Sequence, residues 1–338
     1  MRKGQRPYFA GTRFVWALLA CVLLFPACGS KEKQGVQQKP SSRGLPYELV
    51  LIIPEAIYNG ELKDTLESVL KGSTPVLPQH EPMFRLNVVY ADGNLTPWRT
   101  FRNRLLVEID RKATAPAVGV ARDAVARPQL EVKVTAGSVQ ELAHFIGTQR
   151  QRLTDLFVDA ELDREAARLR RKYSKMTADS LGLFGHTICV PEGLHSSKRA
   201  QDFLWTGTNL NDKDQNFIFY SYPWDGSSLT PAQYVQKRDS VLRINIPGSL
   251  ANQWMETARE QGRPLILART RTINNKVMQE IHGLWELHNG AVGGAFVALE
   301  RVDTASSRVL VTEGFIYSPH SPKRNLMRQM EAALRTFK

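Results

Sequence analysis

Hydrophobic and polar positions change rhythm twice along this chain. Tyr47-Glu48-Leu49-Val50-Leu51-Ile52-Ile53 is an apolar run between prolines, which predicts a buried strand. Leu62, Leu66, Val69 and Leu70 then recur at one helix face, and Pro75-Val76-Leu77-Pro78 cannot continue that helix. Phe84 to Tyr90 and Leu105 to Ile109 read as strands. Leu130, Val132 and Val134 alternate with Glu131, Lys133 and Thr135, predicting a strand with one wet face. Ser138 and Glu141 form a capping-box pattern, and the helix they open has Leu142, Phe145, Ile146, Leu153, Leu156 and Phe157 on its core side. From Glu161 to Lys175 charge dominates, with sparse Leu162, Leu169 and Tyr173. That stretch predicts a solvated connecting helix.

The second half is richer in strands. Ile188 to Val190, Phe203 to Trp205 and Phe217 to Tyr222 are short β-like runs. Thr230-Pro231 predicts a helix start, because proline at the first helical position loses no needed N–H. Tyr234, Val235, Val241 and Leu242 supply its contacts, and Pro247-Gly248 ends it. Leu265 to Ala268, Ile281 to Leu287, Phe296 to Val302 and Val309 to Tyr317 follow as strands. Leu326, Met327, Met330 and Leu334 give a C-terminal helix a narrow apolar stripe. Consecutive strands with one helix between them and one at the end predict an α+β fold. The expected architecture is two α/β sandwich domains, the C-terminal one an antiparallel sheet with flanking helices. The expected boundaries are a signal peptide 1–27, a tether 28–45, an N-terminal domain 46–160, a connecting helix 161–178 and a C-terminal domain 179–338.

The N-terminus has its own pattern. Arg2, Lys3, Arg6 and Arg13 precede an apolar run from Phe14 to Phe25, then Pro26-Ala27-Cys28-Gly29-Ser30. A basic start, a short apolar run and a small residue before the cut predict a secretory signal. A cysteine at the cut makes Cys28 the expected lipidation site. The run is shorter than the ~20 apolar residues of a membrane span. Two or more acyl chains, at about 0.8 kcal/mol per buried methylene, anchor stably. No acidic run follows Cys28 of the kind that resembles a surface-export tag. The expectation is a lipid-anchored envelope protein, in the outer membrane and facing the periplasm.

Composition refines this little. The chain has 338 residues and a formal charge of +12, and removal of the signal peptide leaves +8. The excess is spread out, densest at Arg168-Leu169-Arg170-Arg171-Lys172 and Lys323-Arg324. A nucleic-acid surface would want such clusters interleaved with aromatics on one face, and the expected periplasmic address argues against it; the clusters read as a solvated helix face or as attraction to anionic lipid or cell-wall polymer. With Cys21 and Cys28 removed from pairing, Cys189 is the one mature thiol, so no intrachain disulfide is expected.

Several second-half segments recur in a known family. They are Arg238-Asp239-Ser240-Val241-Leu242 with Ile246-Pro247-Gly248; Gly283-Leu284-Trp285-Glu286 with Gly293-Gly294-Ala295-Phe296-Val297; and Glu313-Gly314-Phe315-Ile316-Tyr317-Ser318-Pro319 with Lys323-Arg324-Asn325-Leu326-Met327-Arg328. Leu77-Pro78-Gln79-His80-Glu81-Pro82-Met83-Phe84 and Arg127-Pro128-Gln129-Leu130 also fit. In order, they resemble the Bacteroidota lipoproteins grouped as domain of unknown function 4837. Ala295 departs from the proline expected there. The order of second-half elements is similar to a PsbP-like layout. The resemblance implies no activity, cofactor or catalytic role.

Candidate chemistry is therefore read from single residues. No Gly-x-Ser-x-Gly elbow or Gly-rich phosphate loop is present. Neither a metal nor another cofactor is expected: on a strand, His282 and His288 would stand about 20 Å apart. Glu280, His282, Glu286 and His288 share one strand face, which predicts a wet sheet face or an acid–base site. Glu313 is the odd residue, since alternation puts it among Val309, Val311, Phe315 and Tyr317. A lone carboxylate there is costly, so it is expected to pair with a cation such as Arg238 or Arg324. Arg238, Trp285, Gly293, Gly294 and Arg324 are the candidate ligand or partner contacts, with the glycine-rich Asn289–Gly294 turn beside Trp285. The favoured reading is a binding, accessory or scaffold protein of the envelope with a protein partner. The alternative is a hydrolase or small-ligand enzyme using Glu313, Glu286 and His282.

Overall fold

The computed structural model describes residues 39–182 and 184–338. The expected signal peptide, Cys28 and residues 28–38 of the expected tether lie outside the described residues. The remainder of that tether is folded. Ser42 N–H donates to the Arg127 carbonyl (3.1 Å), Arg43 N–H to Thr100 (2.8 Å), and Arg102 N–H back to Arg43 (2.9 Å). Backbone hydrogen bonds hold 40–45, so the absence of an apolar pattern gave the wrong boundary.

The first sheet contains β1 (Glu48–Ile53), β2 (Arg85–Tyr90), β3 (Asn103–Ile109), β4 (Ala117–Arg122) and β5 (Leu130–Ala136), in the order β2-β1-β3-β5-β4. All pairs are parallel except β4–β5. Leu49, Leu51, Leu105, Val107, Val132 and Val134 share one apolar cluster with α1 (Gly60–Leu70) and α2 (Val139–Thr148). Ser138 caps α2 by accepting from Glu141 N–H (3.2 Å). The Glu141 carboxylate reaches one residue farther back than a capping box requires, to Gly137 N–H (3.0 Å).

The expected helices around 138–178 are divided differently. The chain breaks at Gln149 and continues as α3 (Arg150–Leu169), then α4 (Lys175–Gly182). Leu162, Ala166 and Leu169 are buried, and so is Glu161. The second half of α3 is thus a core helix with polar work to do, in place of a solvated connector.

The second sheet is antiparallel throughout. Its strands are β6 (Ser196–Ala200), β7 (Phe203–Gly207), β8 (Asp214–Pro223), β9 (Met255–Thr257), β12 (Ile266–Ile273), β13 (Lys276–Leu287), β14 (Gly293–Asp303) and β15 (Arg308–Tyr317), with β10 (Arg259–Glu260) and β11 (Arg263–Pro264) forming a separate small ribbon. The order is β12-β13-β14-β15-β8-β7-β6, with β9 also on β13. The expected strand at Ile188–Val190 is extended chain outside the sheet.

Both faces of this sheet are covered. On one lies α5 (Pro231–Asn245), opened by a full capping box between Thr230 and Gln233. Tyr234, Val235 and Leu242 from α5 pack with Phe296, Ala298, Val311 and Phe315. On the other lies α6 (Arg324–Leu334), whose Met327, Met330, Ala333 and Leu334 join the same cluster as the first sheet. A core shared in this way makes residues 39–338 one compact unit. The α+β class and the antiparallel C-terminal sheet with flanking helices stand as expected.

One contact ties the halves at a helix end. The Glu81 carboxylate accepts from Lys323 N–H (2.6 Å) and Arg324 N–H (2.9 Å). These are unpaired donors at the start of α6, and a carboxylate there also complements the helix dipole.

Candidate functional site

A cleft of about 560 Å³ opens where the start of β1, the C-terminal half of α3 and the first turns of α6 meet. Glu161, Arg164, Glu165 and Arg168 follow one another at helical spacing on α3, so they share a face, and Arg171 extends it. Arg102 enters from just before β3, and Arg328 and Gln329 from α6. Pro46, Pro128 and Leu326 provide apolar wall. Tyr47 is buried, with its ring 5.7 Å from the Arg324 guanidinium and 5.9 Å from that of Arg328. Burial pushes its phenol well above the ordinary value.

Charge in the cleft is uneven. Glu161 is shared by Arg102 (2.8 Å) and Arg164 (2.7 Å), and Asn103 Nδ2 also donates to it (2.7 Å). Glu165 takes a two-pronged fork from Arg168 (2.8 and 2.5 Å) and a bond from Gln329 (3.1 Å). Arg328 has Glu331 behind it at 2.7 Å. Arg171 is exposed and makes no ion pair among the described residues. Five arginines thus line the cleft against two glutamates. Among the described residues, the Nε–H groups of Arg102 and Arg328 are closed off from solvent and lack an acceptor. An unmet buried donor is costly, about 1–3 kcal/mol or more for a charged group. Burial also pulls the Arg164 guanidinium below its usual range. With more arginines than glutamates in its lining, the cleft is suited to receive negative charge.

Sequence reading missed this site. Its α3 residues were visible only as a charged stretch, because a polar helix stripe looks the same whether it faces water or another polar surface. Of the expected contact residues, only Arg324 lies near. It donates from Nη1 to the Pro82 carbonyl (2.6 Å) and stacks toward Tyr47 without lining the cleft.

The other expected residues are separated. Arg238 and Glu313 pair in full burial on the α5 face: Nε to Oε2 is 2.8 Å and Nη2 to Oε1 is 2.7 Å. Tyr234 also donates to Glu313 (3.0 Å), and Arg238 donates to Thr257 (3.1 Å) and lies 3.9 Å over the Phe296 ring. Arg238 is held above the ordinary range: burial opposes its charge, and Glu313 more than offsets this. His282 is on the opposite face, toward Met327, Arg328 and Glu331 of α6. Strand alternation puts Glu286 on the His282 side as well. The proposed trio Glu313, Glu286 and His282 is therefore split by the sheet and forms no common site.

The expected wet face around His282 is buried. Glu280 lies fully inside, held by Arg269 (2.6 Å), His282 (3.3 Å) and Arg335 (3.6 Å). Burial would raise its pKa; His282 and the arginines instead hold it well below the usual carboxylate range. Arg269 and Arg271 continue to Asp155 (both 3.0 Å), and Arg271 and Arg335 to Asp159 (2.6 and 2.8 Å). Donor atoms of Glu280, His282 and Glu331 come within 4.8 Å of one another, as a metal would ask. These carboxylates already hold Arg269, Arg328 and Arg335, and three guanidiniums oppose a further cation. The cluster is a salt network that joins α3 to the second sheet.

Trp285, Gly293 and Gly294 are structural neighbours. The Trp285 indole donates to the Ile316 carbonyl (3.1 Å) across Gly294. A Cβ on Gly294 would lie 2.0 Å from that oxygen, and one on Gly293 2.6 Å from the Trp285 carbonyl. Close approach is the reason for these glycines. The left-handed position of the turn is taken by Asn289 (φ 53°). Cys189 is a half-buried free thiol whose N–H donates to Thr336 (2.8 Å).

Comparison with known proteins gives two family matches. Residues 42–170 match the model of Domain of unknown function (DUF8532), and residues 174–336 that of Domain of unknown function (DUF4837). The second agrees with the resemblance read from the sequence. No curated protein matches the chain. Among solved structures, the Ran-binding protein Mog1p of Saccharomyces cerevisiae is similar, with 12% identity and a TM-score of 0.31, over 46% of this chain and 92% of Mog1p.

Proposed function

We propose that this chain, in which a DUF8532 domain is followed by a DUF4837 domain, is an envelope lipoprotein that binds an anionic group in the arginine-lined cleft without chemical turnover. One observation carries the reading: a cleft of about 560 Å³ lined by five arginines and two glutamates, with Arg171 exposed and in no ion pair among the described residues. Its size is that of a small-ligand site, and guanidiniums favour carboxylate or phosphate. The cleft draws on both family segments, so a bound group bridges them. The sequence at Cys28 supports the anchor, and the envelope address follows from it.

The hydrolase reading loses its support because Glu313 and His282 occupy opposite sheet faces.

Two measurements test the proposal. Palmitate labelling should mark the full chain and not the Cys28→Ala variant, and that variant should leave the membrane fraction. Its retention there would refute the anchor. The soluble Cys28→Ala chain should gain thermal stability from pyrophosphate over chloride at equal ionic strength. Equal melting in both salts would refute anion binding.

A further inference from the structure

We infer that the end of the first sheet at which the described chain begins is a docking surface for an anionic bilayer; this rests on the lipid-anchor reading above. The described chain begins at Lys39, and ten residues separate it from Cys28. Even fully extended, that stretch reaches at most ~40 Å. A lipid on Cys28 therefore holds this end near the bilayer at a high effective concentration. The end itself is built from three segments. Arg127 N–H donates to the Pro40 carbonyl (2.8 Å), Arg43 N–H to Thr100 (2.8 Å) and Leu130 N–H to Arg102 (2.8 Å), and the Lys39 ammonium donates to the Asp123 carbonyl. Segments 39–46, 99–102 and 122–129 thus meet where β1, β3 and β5 start and β4 ends.

Charge at this end is one-sided. The three segments carry six basic residues and one acidic residue, Asp123. Lys39, Arg43, Arg99, Arg122 and Arg127 are exposed. Arg127 stands 3.5 Å from Asp123. Among the described residues, the guanidiniums of Arg43, Arg99 and Arg122 make no ion pair or hydrogen bond. Arginines that join elements of this fold find carboxylates, as Arg269 and Arg271 do at Asp155. Exposed cations without counter-charge complement anionic headgroups. Leu45 adds an apolar contact, since it is 61% exposed. Beside it, Gly44 lies against the Phe101 ring, which packs on Trp98 at 5.0 Å. Apolar and indole side chains set among cations suit a membrane surface.

The test uses residues 28–338 carrying Cys28→Ala, which keep the whole compact unit and no acyl chain. Binding is then independent of lipidation, and palmitate labelling tests the anchor separately. Flotation is measured with phosphatidylcholine vesicles, with and without a quarter phosphatidylglycerol. The anionic vesicles should bind at least tenfold tighter. The triple variant Arg43→Gln, Arg99→Gln, Arg122→Gln should weaken that binding about a hundredfold, at roughly fivefold per basic residue near the surface. A control triple, Lys213→Gln, Arg263→Gln, Lys276→Gln, removes the same charge from exposed positions in the second half and should change binding less than about threefold. Both triples should keep the parent melting temperature, because every replaced side chain is exposed. Equal binding to neutral vesicles, or equal loss in the two triples, would overturn the surface while a palmitate-labelled Cys28 left the anchor standing. Soluble polyglutamate held as tightly as the anionic vesicles at equal charge would overturn the bilayer as its partner.

Discussion

Arg238 and Glu313, 75 residues apart, close a two-pronged ion pair inside the second sheet with no solvent on either side chain. Tyr234 and Thr257 complete its hydrogen bonding. Taking both charges out of water costs nearly what their attraction returns, so the pair adds little net stability. Removing one member is another matter. Glu313→Leu or Arg238→Met should each destabilise by about 3–5 kcal/mol, because a buried charge is left alone. The double variant should be far less destabilised than the sum. A urea double-mutant cycle measures this, and additive losses would show that the two groups act separately.

Glu300 gives a pH dependence. It is buried; among the described residues Tyr222 alone donates to it (2.7 Å), and its Oε2 lacks a partner. Burial pushes its pKa from 4.5 up to about 7, the Tyr222 bond notwithstanding. The folded state therefore holds the proton more tightly than the unfolded chain. Its stabilising contribution is full below about pH 4.5, declines as pH rises, and is gone above about pH 7. That decline amounts to roughly 3 kcal/mol. Glu300→Gln should remove it, flattening the difference in urea midpoint between pH 5 and pH 8. An unchanged difference would assign the dependence elsewhere.

Gly294→Ala should disturb one aromatic anchor. The added methyl would lie 2.0 Å from the Ile316 oxygen and 2.8 Å from Trp285 Nε1. The indole must move and lose its bond to Ile316. The expected loss is about 2–3 kcal/mol, typical of overpacking, with a red shift in tryptophan emission. Emission and stability matching the parent protein would show that this strand pair yields freely.

The two kinds of legibility differ along the chain. Alternation in Val309–Tyr317 showed Glu313 on an apolar face, and the cost of a lone buried carboxylate then demanded a cation; Arg238 answers it. The helix start at Thr230-Pro231 was equally readable, since a cap is local; the structure adds Gln233 as the partner that completes its capping box. By contrast, Asp155 meets Arg269 across 114 residues, and Glu81 meets Lys323 across 242. No local period records such meetings. Glu280 was read as facing water because its strand face alternates polar residues, yet Arg269 and Arg271 of β12 and Arg335 at the end of α6 surround it.

By itself the sequence determined most of the longer strands and helices, the α+β class, the resemblance to domain of unknown function 4837, and the apolar face on which Glu313 stands. It also determined the expectation of a lipid anchor at Cys28. Tertiary structure alone decided which charges meet, that the second sheet is covered on both faces, and that arginines from α3, α6 and the approach to β3 surround one cleft. The physical reason is range. Periodicity reports how a residue points from its own element, whereas an ion pair or a cleft depends on what stands opposite, and that is set by packing between distant segments.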